Sequence, residues 1–84
     1  MIARMWEVRA SRSGFAELLN WVCDTAVPGL EVLPQHVSSD VYSSTDQRIV
    51  VITKWRNSPE NPRTPPENLV ARAPHVWDFN PVDR

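Results

Sequence analysis

Two histidines, His36 and His75, are the side chains whose ordinary pKa lies near neutrality, so they are the first candidates for general acid–base chemistry. His75 is the more interesting, because period-two alternation places it on one side of a short predicted strand with Trp77 and Phe79. Local sequence links no nucleophile to either histidine. A surface or structural role is the simpler interpretation, and the catalytic residues stay unassigned.

Aromatic side chains are the second candidate group, since four tryptophans occur in 84 residues. Tryptophans around a cavity could bind a flat apolar ligand by stacking and orient it through the indole N–H. The alternative is that they supply the buried area that a small domain lacks. The candidate residues for a ligand pocket are Trp6, Tyr42, Trp55, His75 and Trp77.

A metal site is not expected, because Cys23 and the two histidines are scattered along the chain without the close spacing that metal ligands require. Cys23 lies between Val22 and Asp24, and no adjacent cation would stabilise its thiolate. We interpret Cys23 as a small packing residue. The sequence predicts neither a metal nor a cofactor.

The composition limits the classes of protein to which the chain could belong. Nine lysine and arginine residues oppose ten aspartate and glutamate residues, for a net charge of −1, and the length suits one domain, residues 1–84. This near-balanced and evenly spread charge argues against a nucleic-acid partner. No apolar run approaches the roughly 20 residues of a membrane span, and no signal pattern opens the chain. A lone cysteine suits a reducing compartment, so we expect a cytoplasmic protein without a membrane partner.

Two elements are predicted in the first third of the chain. Residues 2–9 alternate as a strand, with Ile2, Trp6 and Val8 on one face. From residue 15 the apolar residues follow helical spacing, and Pro28-Gly29 should end that helix. The apolar stripe consists of Phe15, Leu18, Leu19, Val22 and Ala26.

The remainder predicts a hairpin, a loop and a last strand. Strands at about residues 37–43 and 48–55 flank the polar turn 44–47. Residues 56–66 carry four prolines and should form a surface loop that is mobile or held only by its ends. A capping box from Thr64 to Glu67 should start one or two helical turns, before a strand over residues 75–79.

This order predicts an α+β fold, ferredoxin-like β-α-β-β-α-β with an antiparallel sheet and a short second helix. Both faces of the strand Arg48–Trp55 are apolar, whereas a strand with one face in water should alternate. The single long helix can cover only one face of the sheet. We therefore expect a homodimer in which a second copy covers the other face.

Four segments also carry a family pattern over nearly the whole chain: MIARMWEVRA, FAELLNWV, DVYSSTDQRIVVITKW and PHVWDF. Their arrangement resembles small members of the antibiotic-biosynthesis-monooxygenase superfamily, which are dimeric α+β barrel proteins. The resemblance implies two sheets facing each other across a dimer, with a pocket between sheet and helices in each subunit. Such proteins include cofactor-independent oxygenases, haem-degrading enzymes, isomerases and proteins without known activity.

The chain departs from that pattern in two ways. Its second helix is short and follows a proline-rich loop, and it lacks the first-strand asparagine and second-helix histidine that serve haem in the haem-degrading branch. Two functions stay open. The first is a pocket protein that binds a small apolar or aromatic molecule, or an accessory in a biosynthetic pathway. The second is a cofactor-independent monooxygenase that acts on a polycyclic phenol, with His75 taking the substrate proton.

Overall fold

The computed structural model describes residues 1–84 as one four-stranded antiparallel sheet with a helix on one side. The sheet order is β2-β3-β1-β4, which confirms the ferredoxin-like α+β fold. The strands are β1 (Ile2–Ala10), β2 (His36–Ser43), β3 (Arg48–Trp55) and β4 (Val70–Phe79). The second helix of the fold is reduced to a 3-10 turn at Glu67–Leu69. No helix is long and apolar enough to cross a membrane.

The helix runs further than the sequence predicts. It comprises α1 (Phe15–Trp21), a π turn (Val22–Ala26) and α2 (Val27–Glu31), in a continuous stretch of 17 residues. The expected end at Pro28 is wrong, because Pro28 lies in the first turn of α2. A proline inside a helix lacks the N–H donor and crowds the carbonyl four residues earlier. The wider π turn immediately before Pro28 accommodates this break in the hydrogen-bond ladder.

β4 begins five residues earlier than predicted and contains Pro74. A proline is tolerated because β4 is an edge strand. Glu7 of β1 pairs with His75, whereas Arg9 pairs with Arg72, so two β4 residues oppose one β1 residue and form a bulge. The expected helical turn is present but ends at Leu69, because Val70 already belongs to β4. The expected capping box is absent, because no side-chain hydrogen bond caps the 3-10 turn.

The hydrophobic core lies between the helix and one face of the sheet. β3 contributes Ile49, Val51 and Trp55, each at most 1% exposed, and the helix contributes Leu18 and Val22, both 0% exposed. The predicted faces of β1 are confirmed, since Trp6 and Val8 lie in the core cluster. This side of the sheet is the helix face.

The opposite side of the sheet, which we term the open face, is covered by no part of the chain. The apolar side chains placed there by the strand register are Ala3, Met5, Tyr42, Val50, Ile52, Trp77 and Phe79. Tyr42, Trp77 and Phe79 are 53%, 41% and 54% exposed. A sheet face that meets water alone would normally carry polar side chains.

Candidate functional site

The five sequence-predicted pocket residues lie on two sides of the sheet. Trp6 and Trp55 belong to the helix face, because Trp6 pairs with the buried Val51 and Trp55 is itself fully buried. Tyr42, His75 and Trp77 belong to the open face. The five residues therefore do not surround a common cavity.

Trp55 is tightly held within the core. Its Nε1 donates a hydrogen bond to Thr53 Oγ1 at 2.8 Å, and the His36 ring meets it edge-on with ring centroids 5.4 Å apart. With 0% exposure, the Trp55 ring offers no surface to a ligand. Trp55 thus supplies the buried area that a small domain needs.

A groove lies between the proline-rich loop and β4, and we call it the loop groove. It consists of two adjoining depressions that share Thr64, Pro65 and Pro74 in their walls. The inner depression has a volume of about 190 Å³, and Trp6 and Val76 line it on the sheet side. The outer depression has a volume of about 510 Å³ and follows residues 70–74 of β4. Of the five predicted residues, Trp6 alone lines the groove.

The proline-rich loop is fixed near its middle as well as at its ends. Arg4 Nη1 donates a hydrogen bond to Asn61 Oδ1 at 2.9 Å. The same guanidinium binds both carboxylate oxygens of Asp78, at 2.7 and 2.9 Å. These hydrogen bonds from Arg4 lower the pKa of Asp78, and burial opposes them only in part. Because Asn61 lies in the middle of the loop, the expectation of a loop held only by its ends is wrong.

A buried carboxylate lies at one end of the open face. Glu7 is 7% exposed, and its two oxygens accept hydrogen bonds from different arginines, Arg48 at 3.4 Å and Arg72. Burial alone would raise the pKa of Glu7, but the hydrogen bonds from Arg72 and Arg48 outweigh it and lower that pKa. His75 is the register partner of Glu7, and its ring lies 5.7 Å from that of Trp77.

The sequence analysis missed a contact between His36 and a hydroxyl group. His36 Nε2 lies 2.6 Å from Ser39 Oγ. A register shift between His36 and Ser38 makes the contact, because it turns both side chains to the helix face. Neither His36 nor His75 lines the loop groove. No group of three or more histidine, cysteine, aspartate or glutamate side chains is arranged to hold a metal ion.

Comparison with known proteins rests on structure. No protein-family model matches the chain, and no curated protein matches it in sequence. A solved structure titled as an antibiotic biosynthesis monooxygenase superposes with a TM-score of 0.72 at 10% identity, covering 99% of this chain and 100% of that one. The chain has the antibiotic biosynthesis monooxygenase fold. The structure of Rv0793 from Mycobacterium tuberculosis superposes with a TM-score of 0.74 at 16% identity, covering 99% of this chain and 96% of that one.

Proposed function

We propose that the chain is a homodimeric binding protein and that the loop groove of each subunit holds a small apolar molecule. The observation that carries the proposal is the composition of the groove. Trp6, Val76 and several prolines line it, beside the few polar groups of Asn61, Arg63 and Thr64. Ligand sites combine an apolar lining with a small number of polar groups in this way.

The fixed position of the loop supports a preformed groove. Because Arg4 binds Asn61 in the loop and Asp78 in β4, the two walls are joined through one side chain on β1. A site that exists before the ligand arrives loses less conformational entropy on binding. The outer depression, at about 510 Å³, falls within the roughly 300–1,000 Å³ range of small-molecule sites.

The open face supports the dimer. Its exposed tyrosine, tryptophan and phenylalanine side chains form an apolar surface of the kind that marks an interaction site. The molecule measures 40 × 27 × 17 Å, so its broad side can supply the roughly 800 Å² per partner that a stable interface buries. A second copy presents the same apolar face, which makes a two-fold interface the simplest cover.

The alternative is a cofactor-independent monooxygenase that acts on a polycyclic phenol; one solved structure of this fold is named as an antibiotic biosynthesis monooxygenase. Abstraction of a phenol proton needs a base within hydrogen-bond reach of the bound substrate. His75 lies on the open face and His36 contacts Ser39, so the groove favours binding over this chemistry. Oxygen uptake with polycyclic phenols distinguishes the two functions. A rate that His75→Ala abolishes would establish the oxygenase.

A titration with 2-naphthol, a small aromatic phenol, tests the binding function. The methyl NMR signals of Val70 and Val76, which line the groove, should shift saturably, whereas those of the distant, 80% exposed Val32 should not. Ala73→Glu places a charge in the outer depression and should abolish the shifts. Ala16→Glu, at an exposed helix position, is the matched control. Equal binding by both variants would overturn the assignment of the groove.

A further inference from the structure

Three arginines stand side by side at one end of the open face, and we call them the arginine row. Arg9 of β1 pairs with Arg48 of β3 on one side and with Arg72 of β4 on the other. Directly paired residues on neighbouring strands lie about 5 Å apart at Cα. The three side chains therefore leave the sheet as one cationic group.

The bulge in β4 completes the row. Without the extra residue, the alternation from His75 would place Ala73 opposite Arg9 and turn Arg72 to the helix face. With the bulge, Arg72 points to the open face and binds Glu7. The irregularity of β4 thus brings the third positive charge to this site.

The arginine row carries more positive charge than its neighbours neutralise. Its carboxylate partners are Glu7, bound by Arg48 and Arg72, and Asp46, bound by Arg48 at 2.5 Å and lying 3.6 Å from Arg9. Two carboxylates therefore face three guanidinium groups. Pairing the buried Glu7 accounts for Arg48 and Arg72 but does not require Arg9, whose ion pair is with Asp46.

The donors of two arginines are largely unused. Arg9 donates one side-chain hydrogen bond, to the Asp46 carbonyl oxygen at 3.4 Å, and Arg72 donates one, to Glu7. Most of the N–H groups on both guanidiniums are thus free. In a single subunit their side chains are 44% and 39% exposed. The arginine row lies near the strand ends, at the margin of the proposed dimer interface, so a ligand from solvent can reach it.

We propose that the arginine row binds a phosphate group, either as inorganic phosphate or as the ester of a small molecule. Arginine presents a planar fork of donors that matches the oxygens of phosphate, and such charge-assisted hydrogen bonds are the strong ones. Glu7 holds Arg72 in position, and Arg9 supplies the second fork beside it.

The test follows the arginine Nε–H signals by NMR while inorganic phosphate or phenyl phosphate is added, with chloride keeping the ionic strength constant. We expect saturable shifts for Arg9 and Arg72. Tighter binding of phenyl phosphate would indicate an ester as the ligand, and tighter binding of inorganic phosphate would indicate the free anion. Arg9→Gln should weaken binding at least about fivefold, because it removes a charge-assisted fork. Arg12→Gln, at an exposed turn position, should bind as the unaltered chain does.

Arg9→Gln is the deciding variant, because it leaves both arginine partners of Glu7 in place. Arg72→Gln would instead remove one of the two arginines that pair with this buried carboxylate. Shifts that do not saturate, or equal affinity in Arg9→Gln and Arg12→Gln, would overturn the site. Of the three arginines in the row, Arg72 also lines the loop groove and the other two do not. The 2-naphthol titration therefore tests the groove separately from the phosphate site.

Discussion

Arg4 Nη1 lies 2.9 Å from Asn61 Oδ1, and this hydrogen bond joins the middle of the proline-rich loop to the first strand. The same arginine binds Asp78 of β4, so one side chain sets the distance between the two walls of the loop groove. The shape of the groove therefore depends on a polar contact at its margin as well as on the apolar residues that line it.

Asn61→Ala should loosen the groove without unfolding the domain. Exposed polar contacts contribute about 1 kcal/mol or less, so the melting temperature should change by only a few degrees. Affinity for 2-naphthol should fall several-fold, because the loop must then be ordered on binding. Asn57→Ala is the matched control, since Asn57 Oδ1 accepts a hydrogen bond only from the neighbouring Ser58 N–H. If both variants bind equally, Asn61 does not shape the site.

Acid should destabilise the protein through Glu7. The Arg72 and Arg48 hydrogen bonds lower the folded-state pKa of Glu7 below its ordinary value of 4.5. The resulting stability is present above pH 4.5 and is lost as the pH falls through the folded-state pKa. Asp78 and Asp46, whose pKa values are also lowered by arginine hydrogen bonds, add to the same acid loss.

Glu7→Gln should therefore be less stable than the unaltered chain at pH 7, and the difference should shrink as the pH falls below 4.5 and through the lowered pKa of Glu7. Urea unfolding at a fixed protein concentration measures this difference in the free energy of unfolding. Glu17→Gln, at an exposed position of α1, should follow the unaltered chain throughout. If the stability difference between Glu7→Gln and the unaltered chain does not change with pH, the ion pairs of Glu7 are not the cause of the acid destabilisation.

Val51→Asp should be severely destabilising. Val51 is 1% exposed within the core cluster, and burying an unpaired carboxylate costs several kcal/mol. That cost is a large part of the roughly 5–15 kcal/mol by which a domain is stable. Thermal unfolding should show a large loss, whereas Val82→Asp, at an 83% exposed position, should melt normally. Near-normal melting of Val51→Asp would contradict the placement of β3 in the core.

Local sequence patterns predicted the fold. The predicted element boundaries were wrong where a proline interrupts the helical or strand pattern. Period-two alternation located β1, because side-chain direction in a strand repeats every two residues. A run of β-branched residues located β3. The continuation of the helix past Pro28 depends on a π turn, and the start of β4 depends on a bulge beside Pro74. Both features result from packing against other elements, which local sequence does not encode.

The candidate site was predicted only in part for the same reason. Residue type singled out Trp6, which lines the loop groove, but it could not place Trp55 and Trp77 on opposite sides of the sheet. The pairing of Glu7 with Arg72 joins residues 65 positions apart. Such contacts follow from the register between strands, which a one-residue bulge is enough to change.

Removal of the exposed Trp77 side chain from the open face should weaken the dimer. Trp77 is 41% exposed and lies beside Met5 on the open face, so Trp77→Ser should weaken the dimer more than the fold. We expect a folded monomer at concentrations where the unaltered chain is a dimer. Val32→Ser, at an 80% exposed position on the helix side, should leave the dimer intact. Equal dimerisation of the two variants would place the interface elsewhere.

Sedimentation equilibrium of the unaltered chain at micromolar concentration tests the central claim most directly. A homodimer has about twice the 9.6 kDa mass of one chain, and the proposed pairing of two open faces predicts this value. A folded species of 9.6 kDa at every concentration would contradict the account. It would mean that the apolar open face, with Tyr42, Trp77 and Phe79, meets water in the working protein.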